Sequence, residues 1–121
     1  MKYLLMIYCD ESADAQKSPA EQEKEMGAYF AYTREAEAAG VMKSGEALHP
    51  SSTATTVRVR NGKIATTDGP FAETKEQFGG FYLVECKDLD EAIQWASKIP
   101  HASQDAVEIR PVVDFSQAAG V

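Results

Sequence analysis

Two near-continuous apolar runs, Tyr3–Cys9 and Phe81–Cys86, stand out from a chain whose other apolar residues recur periodically. Runs of this length, bounded by charged residues, predict strands that are central in a sheet or covered on both faces. Between them, Ser18-Pro19-Ala20-Glu21 combines a serine N-cap, a proline at the first helical position and a glutamate at the third. That capping box predicts a helix running to about Ala39, with Gly40 as its left-handed stop. The polar stretch Asp10–Lys17 reads as the lead into it. Met26, Tyr29, Phe30, Thr33 and Ala36 fall at helical spacing and are the expected inward stripe.

Val41–Leu48 predicts a second strand, weakened by Gly45. Thr55–Arg60 and Lys63–Thr67 flank Asn61-Gly62, a strong hairpin signal that pairs Val59 with Ile64 and Val57 with Thr66. Arg58, Arg60 and Lys63 read as a solvated hairpin face. Asp88-Leu89-Asp90-Glu91 caps another helix, with Leu89, Ala92, Ile93, Ala96 and Ile99 inward, Trp95 on the outer flank as a packing residue, and Pro100 as the end. Ala106–Val113 alternates as a last strand. Pro111 lacks a donor for a ladder and so favours a sheet edge. The order β-α-β, hairpin, β-α-β predicts an α+β ferredoxin-like sandwich with a mainly antiparallel sheet, two helices on one face and an extra β-hairpin. Residues 1–113 form the expected single domain and residues 114–121 a tail, fraying from Phe115.

A length of 121 residues suits one core. The formal charge of −7 repels a phosphate backbone, which argues against nucleic acid as a partner. The opening apolar run is too short to cross a bilayer and no small-residue cleavage site follows it. The expectation is therefore a cytoplasmic protein with no membrane partner and reduced Cys9 and Cys86, which strand directions place at opposite ends of the sheet. There is no dinucleotide or Walker pattern and no nucleophile elbow. Two distant histidines without Cys/His/Asp spacing argue against a metal centre, and no cofactor is expected. His101, after the second helix, has no catalytic partner near it in sequence.

Asp68-Gly69-Pro70-Phe71-Ala72-Glu73-Thr74-Lys75-Glu76-Gln77-Phe78-Gly79-Gly80 is the densest chemical feature. Asp-Gly-Pro alone is a turn, and a charge cluster is commonly a solvated surface. Phe71 and Phe78, however, could pin the loop and partly desolvate Asp68 or Glu73, fitting them for acid–base work. Gly79-Gly80 admits a close ligand, a bulge or another chain. The predicted strand directions gather Asp10, Glu11, Glu46, His49, Asp68, Glu73, Lys75 and Glu76 at one sheet edge, near the N-terminus of the first helix.

That loop, together with Tyr3–Tyr8 and Asp10-Glu11, Ser44–Leu48, Ala54–Arg58, Asp88–Ala92 and Val107–Pro111, resembles the DGPF group of YCII-related domains across almost the whole chain. The resemblance implies a bacterial protein of the same fold, paired into a homodimer through its sheets. Some relatives accompany sigma factors of the extracytoplasmic-function class. The wider superfamily includes a dehydrochlorinase acting on a chlorinated hydroxyhydroquinone and resembles muconolactone isomerase in architecture. In several relatives a helix histidine and an aspartate form the suspected acid–base pair; aligning back from Gly40 puts Tyr29 at the histidine's place. A carboxylate must then replace the base. Asp68 and Glu73 are the catalytic candidates, with Tyr29, Glu46, His49, Phe71, Lys75 and Glu76 as candidate ligand contacts. The resulting expectation is a small-molecule-binding dimer with cofactor-free lyase or isomerase chemistry on a cyclic or enolisable substrate. The alternatives are a non-enzymatic regulatory or scaffold protein tied to sigma-factor control, and a charged loop that serves only as a dimer clamp.

Overall fold

In the computed structural model, which describes residues 1–118, β1 (Lys2–Cys9) lies at the centre of a four-stranded antiparallel sheet. Its neighbours are β5 (Gln77–Glu85) and β6 (Ala106–Pro111), and β2 (Met42–Ala47) extends the far side of β5, giving the order β2-β5-β1-β6. β6 is an edge strand, as Pro111 requires. The helices are α1 (Glu11–Asp14), α2 (Pro19–Ala38), α3 (Leu89–Ser97) and α4 (Phe115–Ala118). Tyr3, Leu5 and Ile7 of β1 and Val84 of β5 form one sheet face with Tyr32 of α2, Ala92 and Ala96 of α3, and Ile99. This is the α+β ferredoxin-like sandwich. No helix among the described residues is long and apolar enough to cross a membrane.

The capping box at Ser18 and Glu21 forms with both hydrogen bonds, and Gly40 ends the helix with φ 76°. The buried stripe of α2 is not the expected one. Tyr32 and Ala36 are its buried residues, whereas Met26 and Phe30 are each 59% exposed. Tyr29, Tyr32 and Thr33 meet the sheet, while Met26 and Phe30 form the rim of a hollow beside it. On α3, Ala92 and Ala96 take the close contact and Ile99 follows it inward, leaving Leu89 and Ile93 substantially exposed. Trp95 packs within its own chain, edge-on to Tyr32 with ring centroids 6.2 Å apart.

The stretch after Asp10 is not merely a polar lead. The Asp10 carboxylate accepts from the N–H groups of Ser12 and Ala13 and starts α1. The start of the tail is also ordered differently, because Phe115–Ala118 forms a helical turn and Ser116 donates to Asp114. The remainder of the expected fraying segment, 119–121, lies outside the described residues.

β3 (Thr55–Arg60) and β4 (Lys63–Asp68) form a separate two-stranded sheet. Asn61 and Gly62 both have positive φ, 52° and 75°, as a two-residue primed turn demands, and the pairs Val59–Ile64 and Val57–Thr66 form. Glu11 ties the base of this hairpin to the body: its carboxylate accepts from the Ser51 N–H at 2.7 Å and the Ser51 hydroxyl at 2.5 Å. Gly79 is the extra residue of a bulge, since Ile7 faces Gly80 while Tyr8 faces Phe78. A Cβ there would lie 2.8 Å from Cys9 Sγ, so the glycine lets the thiol sit against β5. Cys9 and Cys86 are free and stand at opposite ends of the sheet, opposite Gln77 and beside Met1 respectively.

Candidate functional site

Three elements distant in sequence bring titratable groups together at the Cys9 end of the sheet. A short 3-10 turn, Pro100–Ala102, follows α3 and delivers His101 just ahead of β6. Because Ala106 pairs with Tyr8, that turn must lie beside the end of β1. The His101 side chain is buried at 5% exposure. Its Nδ1 lies 2.6 Å from the Tyr29 hydroxyl, and its Nε2 lies 3.0 Å from Asp14 Oδ2 and 3.7 Å from Glu25 Oε1. An ionised carboxylate only accepts, so Nε2 carries a proton toward Asp14. In neutral His101, Nδ1 is then the acceptor for the Tyr29 O–H.

Lys17 completes the cluster. Its ammonium donates to Asp14 Oδ1 at 2.7 Å and to Glu25 Oε2 at 2.5 Å, leaving the other oxygen of each carboxylate facing His101. Burial disfavours the ionised form of Asp14, but hydrogen bonds from Lys17 and His101 outweigh it and hold the carboxyl below its usual range. Burial pushes the Tyr29 phenol well above its ordinary value, which disfavours a free phenolate. The Cys9 thiol is pushed up to about 11, first by burial and then by Asp14, Glu11 and Asp105, so it is no nucleophile.

The Tyr29–His101 pair lies in the wall of a cleft of about 500 Å³ between α2 and the β2–β5 edge of the sheet. Ile7, Cys9, Met42 and Gly80 contribute to its lining. A second hollow of about 570 Å³ adjoins it and shares Tyr29, Thr33, Ala47 and Tyr82; Met26 and Phe30 are at its rim. Volumes of this size suit a small organic molecule. Two glycines shape the edge. A Cβ on Gly45 would fall 2.6 Å from the Tyr82 ring, and one on Gly80 would fall 2.8 Å from the Glu46 carbonyl oxygen. The Tyr82 and Thr33 hydroxyls lie 3.2 Å apart, and Thr33 donates to the Tyr29 carbonyl. Tyr82 thereby has its polar end engaged while its ring lines the cleft.

Of the residues singled out in the sequence, Tyr29 and Glu46 line the cleft. Lys75 and Glu76 fall in a separate polar depression with Asp10, Asp14 and Lys17. Asp68 ends β4 opposite Thr55, and Glu73 follows in the loop; both are exposed. Phe71 is 79% exposed and so does not pin the loop, whereas Phe78 packs against Tyr8 with tilted rings 5.7 Å apart. His49 is exposed after β2. His101 is the residue that sequence reasoning passed over. The clue was available in the strand order, since the segment entering β6 must start beside the end of β1.

The antiparallel β2-β5-β1-β6 sheet, with α2 and α3 on one face and a cleft at its edge, defines a ferredoxin-like α+β domain. The chain belongs to the YCII-related domain family, whose model matches residues 1–116. It is 40% identical over 114 residues to an uncharacterized protein of Rhizobium meliloti (strain 1021), covering 93% of this chain and 92% of that one. Among solved structures it is similar to 5-chloro-2-hydroxyhydroquinone dehydrochlorinase from Burkholderia phenoliruptrix AC1100, in complex with 2,5-dihydroxybenzoquinone. That similarity has a TM-score of 0.49 at 15% identity and covers 97% of this chain and 98% of the other.

Proposed function

We propose that this YCII-related domain is of the DGPF type, binds a small cyclic, enolisable molecule in the α2–sheet cleft and moves a proton on it through Tyr29, His101 and Asp14. The carrying observation is the buried imidazole held between the Tyr29 hydroxyl and the Asp14 carboxylate at the cleft wall. As the Tyr29 oxygen takes a proton from the substrate, its own proton passes to His101 Nδ1. The resulting imidazolium keeps its Nε2–H on Asp14, with Glu25 close by to stabilise the charge. Returning the proton to a different substrate atom gives an isomerisation; loss of a leaving group from the enolate gives an elimination. The raised pKa of Tyr29 fits this concerted transfer, because the phenol need never exist as a free anion. Such proton transfer contributes about 10²–10⁴-fold. The reading replaces the helix histidine of relatives with a histidine from the α3–β6 connection and uses neither Asp68 nor Glu73.

The reading extends to a homodimer. Leu4, Met6, Tyr8, Phe78, Phe81 and Leu83 alternate with the core residues of β1 and β5 and therefore share the face turned away from α2 and α3. A second copy packing sheet to sheet would cover that face. A regulatory scaffold linked to sigma-factor control would need only a shallow polar edge; a largely apolar cleft of about 500 Å³ favours the small-molecule reading.

The test is deuterium incorporation from heavy water into cyclic 1,3-diones and hydroxy-substituted cyclic enones, followed by NMR with a chelator present. Wild type should accelerate exchange on at least one probe, and Tyr29→Phe and His101→Asn should each lose at least tenfold. Equal rates in all three proteins, with the probe bound, would remove the relay.

A further inference from the structure

One atom each from Cys9, Asp14 and His101 comes together within 4.8 Å: a thiol sulfur, a carboxylate oxygen and a ring nitrogen. Neither motif spacing nor chain order brings them close; β1, α1 and the Pro100–Ala102 turn do so through the register of β1 with β6. We infer that Cys9, Asp14 and the Nε2 of His101 bind one divalent transition-metal ion of the zinc type, with Glu25 as a fourth ligand.

Several features fit a metal. Sulfur, imidazole nitrogen and carboxylate oxygen together suit a borderline-soft ion such as zinc rather than calcium or magnesium. The histidine is buried, and its other nitrogen is held by Tyr29 at 2.6 Å, the outer contact that fixes the ring of a metal-ligating histidine. Lys17 occupies one oxygen of Asp14 and one of Glu25, so the oxygens left over, Asp14 Oδ2 and Glu25 Oε1, both point at Nε2. Tetrahedral zinc with bonds of about 2.0–2.3 Å places its ligand atoms roughly 3.3–3.8 Å apart. The Cys9, Asp14 and His101 atoms, within 4.8 Å of one another, need to tighten by about an ångström, and Glu25, which lies outside that group, must move in to complete the site.

The consequence for the cleft, which rests on the proton-relay reading above, is that ion and relay exclude each other. An ion on Nε2 leaves the imidazole proton on Nδ1, where it donates to the Tyr29 oxygen. His101 then cannot accept a proton, and the Tyr29 hydrogen turns toward the cleft. The same tyrosine becomes a fixed hydrogen-bond donor in the metal-bound protein. Metal content would therefore select between a proton-transferring form and a binding form.

The experiment is titration of chelator-stripped full-length protein with Co²⁺ and Zn²⁺, without any organic ligand. Wild type should bind one ion per chain and show a near-ultraviolet thiolate-to-cobalt charge-transfer band. Cys9→Ser should abolish the band and weaken binding at least tenfold, and Asp14→Asn should weaken it to a similar degree. Tyr29→Phe should cost about tenfold through loss of the contact to the ring. Cys86→Ser and His49→Ala should match wild type. Circular dichroism and melting of each metal-free variant establish that it is folded. The inference fails if folded wild type holds no ion at micromolar concentration, or if the cobalt band and affinity survive Cys9→Ser. Because the relay is measured with chelator present and the ion without substrate, either can fail alone.

Discussion

The Tyr29 hydroxyl and His101 Nδ1 meet at 2.6 Å although 72 residues separate them. Replacing Tyr29 by Phe keeps the ring and strands a buried nitrogen. An unsatisfied buried acceptor costs about 1–3 kcal/mol. Urea unfolding of Tyr29→Phe should show a lowered midpoint with an unchanged slope, alongside the loss of proton exchange. An unchanged midpoint would mean that water satisfies His101 equally well.

Two glycines should respond in opposite directions. Gly80→Ala drives a Cβ to 2.8 Å from the Glu46 carbonyl oxygen, a backbone atom that cannot swing aside. Overpacking of this kind costs about 1–3 kcal/mol and would part β2 from β5 at the cleft. Gly27 lies inside α2, and nothing comes within 4 Å of the place an alanine methyl would take. Gly27→Ala should therefore stabilise by about 0.8–1 kcal/mol. Thermal unfolding of the pair checks both signs.

Acid should expose the contribution of Asp14. Its folded-state pKa is depressed, so its stabilisation is present above the unfolded value of about 3.9 and is lost as pH falls through the lower folded value. With chelator present, Asp14→Asn should flatten the fall in stability below about pH 4 relative to wild type. Parallel curves over that range would show that the hydrogen bonds from Lys17 and His101 are not linked to folding.

Asp68→Asn combined with Glu73→Gln should leave both probe binding and exchange within about twofold of wild type. Both side chains are exposed and lie outside the cleft lining, and surface charges away from a site contribute little. A loss beyond tenfold would restore the Asp68–Gly80 loop as the catalytic element.

Leu83→Glu places a charge in the middle of the apolar sheet face opposite the helices. Sedimentation should show a dimer for wild type and a monomer for the variant. A wild-type monomer at tens of micromolar would remove the sheet-to-sheet pairing.

Much of the fold was legible because its signals are local. Ser18-Pro19-Ala20-Glu21 satisfies its own backbone donors, Asn61-Gly62 supplies the two positive φ angles of its turn, and the apolar runs of β1 and β5 allow little but a buried strand. Pro111 marked an edge because it lacks a donor. Met26 and Phe30 misled for a physical reason: helical spacing reports an apolar stripe but not whether protein or an open cleft lies against it.

The site was decided otherwise. Tyr29 could be picked out from its place on α2, but its partner arrives from a turn after α3, and that turn's position depends on the pairing of Ala106 with Tyr8. The sequence by itself determined the main strands, the two long helices and the sandwich they build, because caps, turns and alternation act over a few residues; it missed α1, α4 and the start of β5 at Gln77. Only the tertiary structure could show that Cys9, Asp14 and Tyr29, all half-buried, gather around the buried His101, because contact between distant side chains depends on strand register and burial.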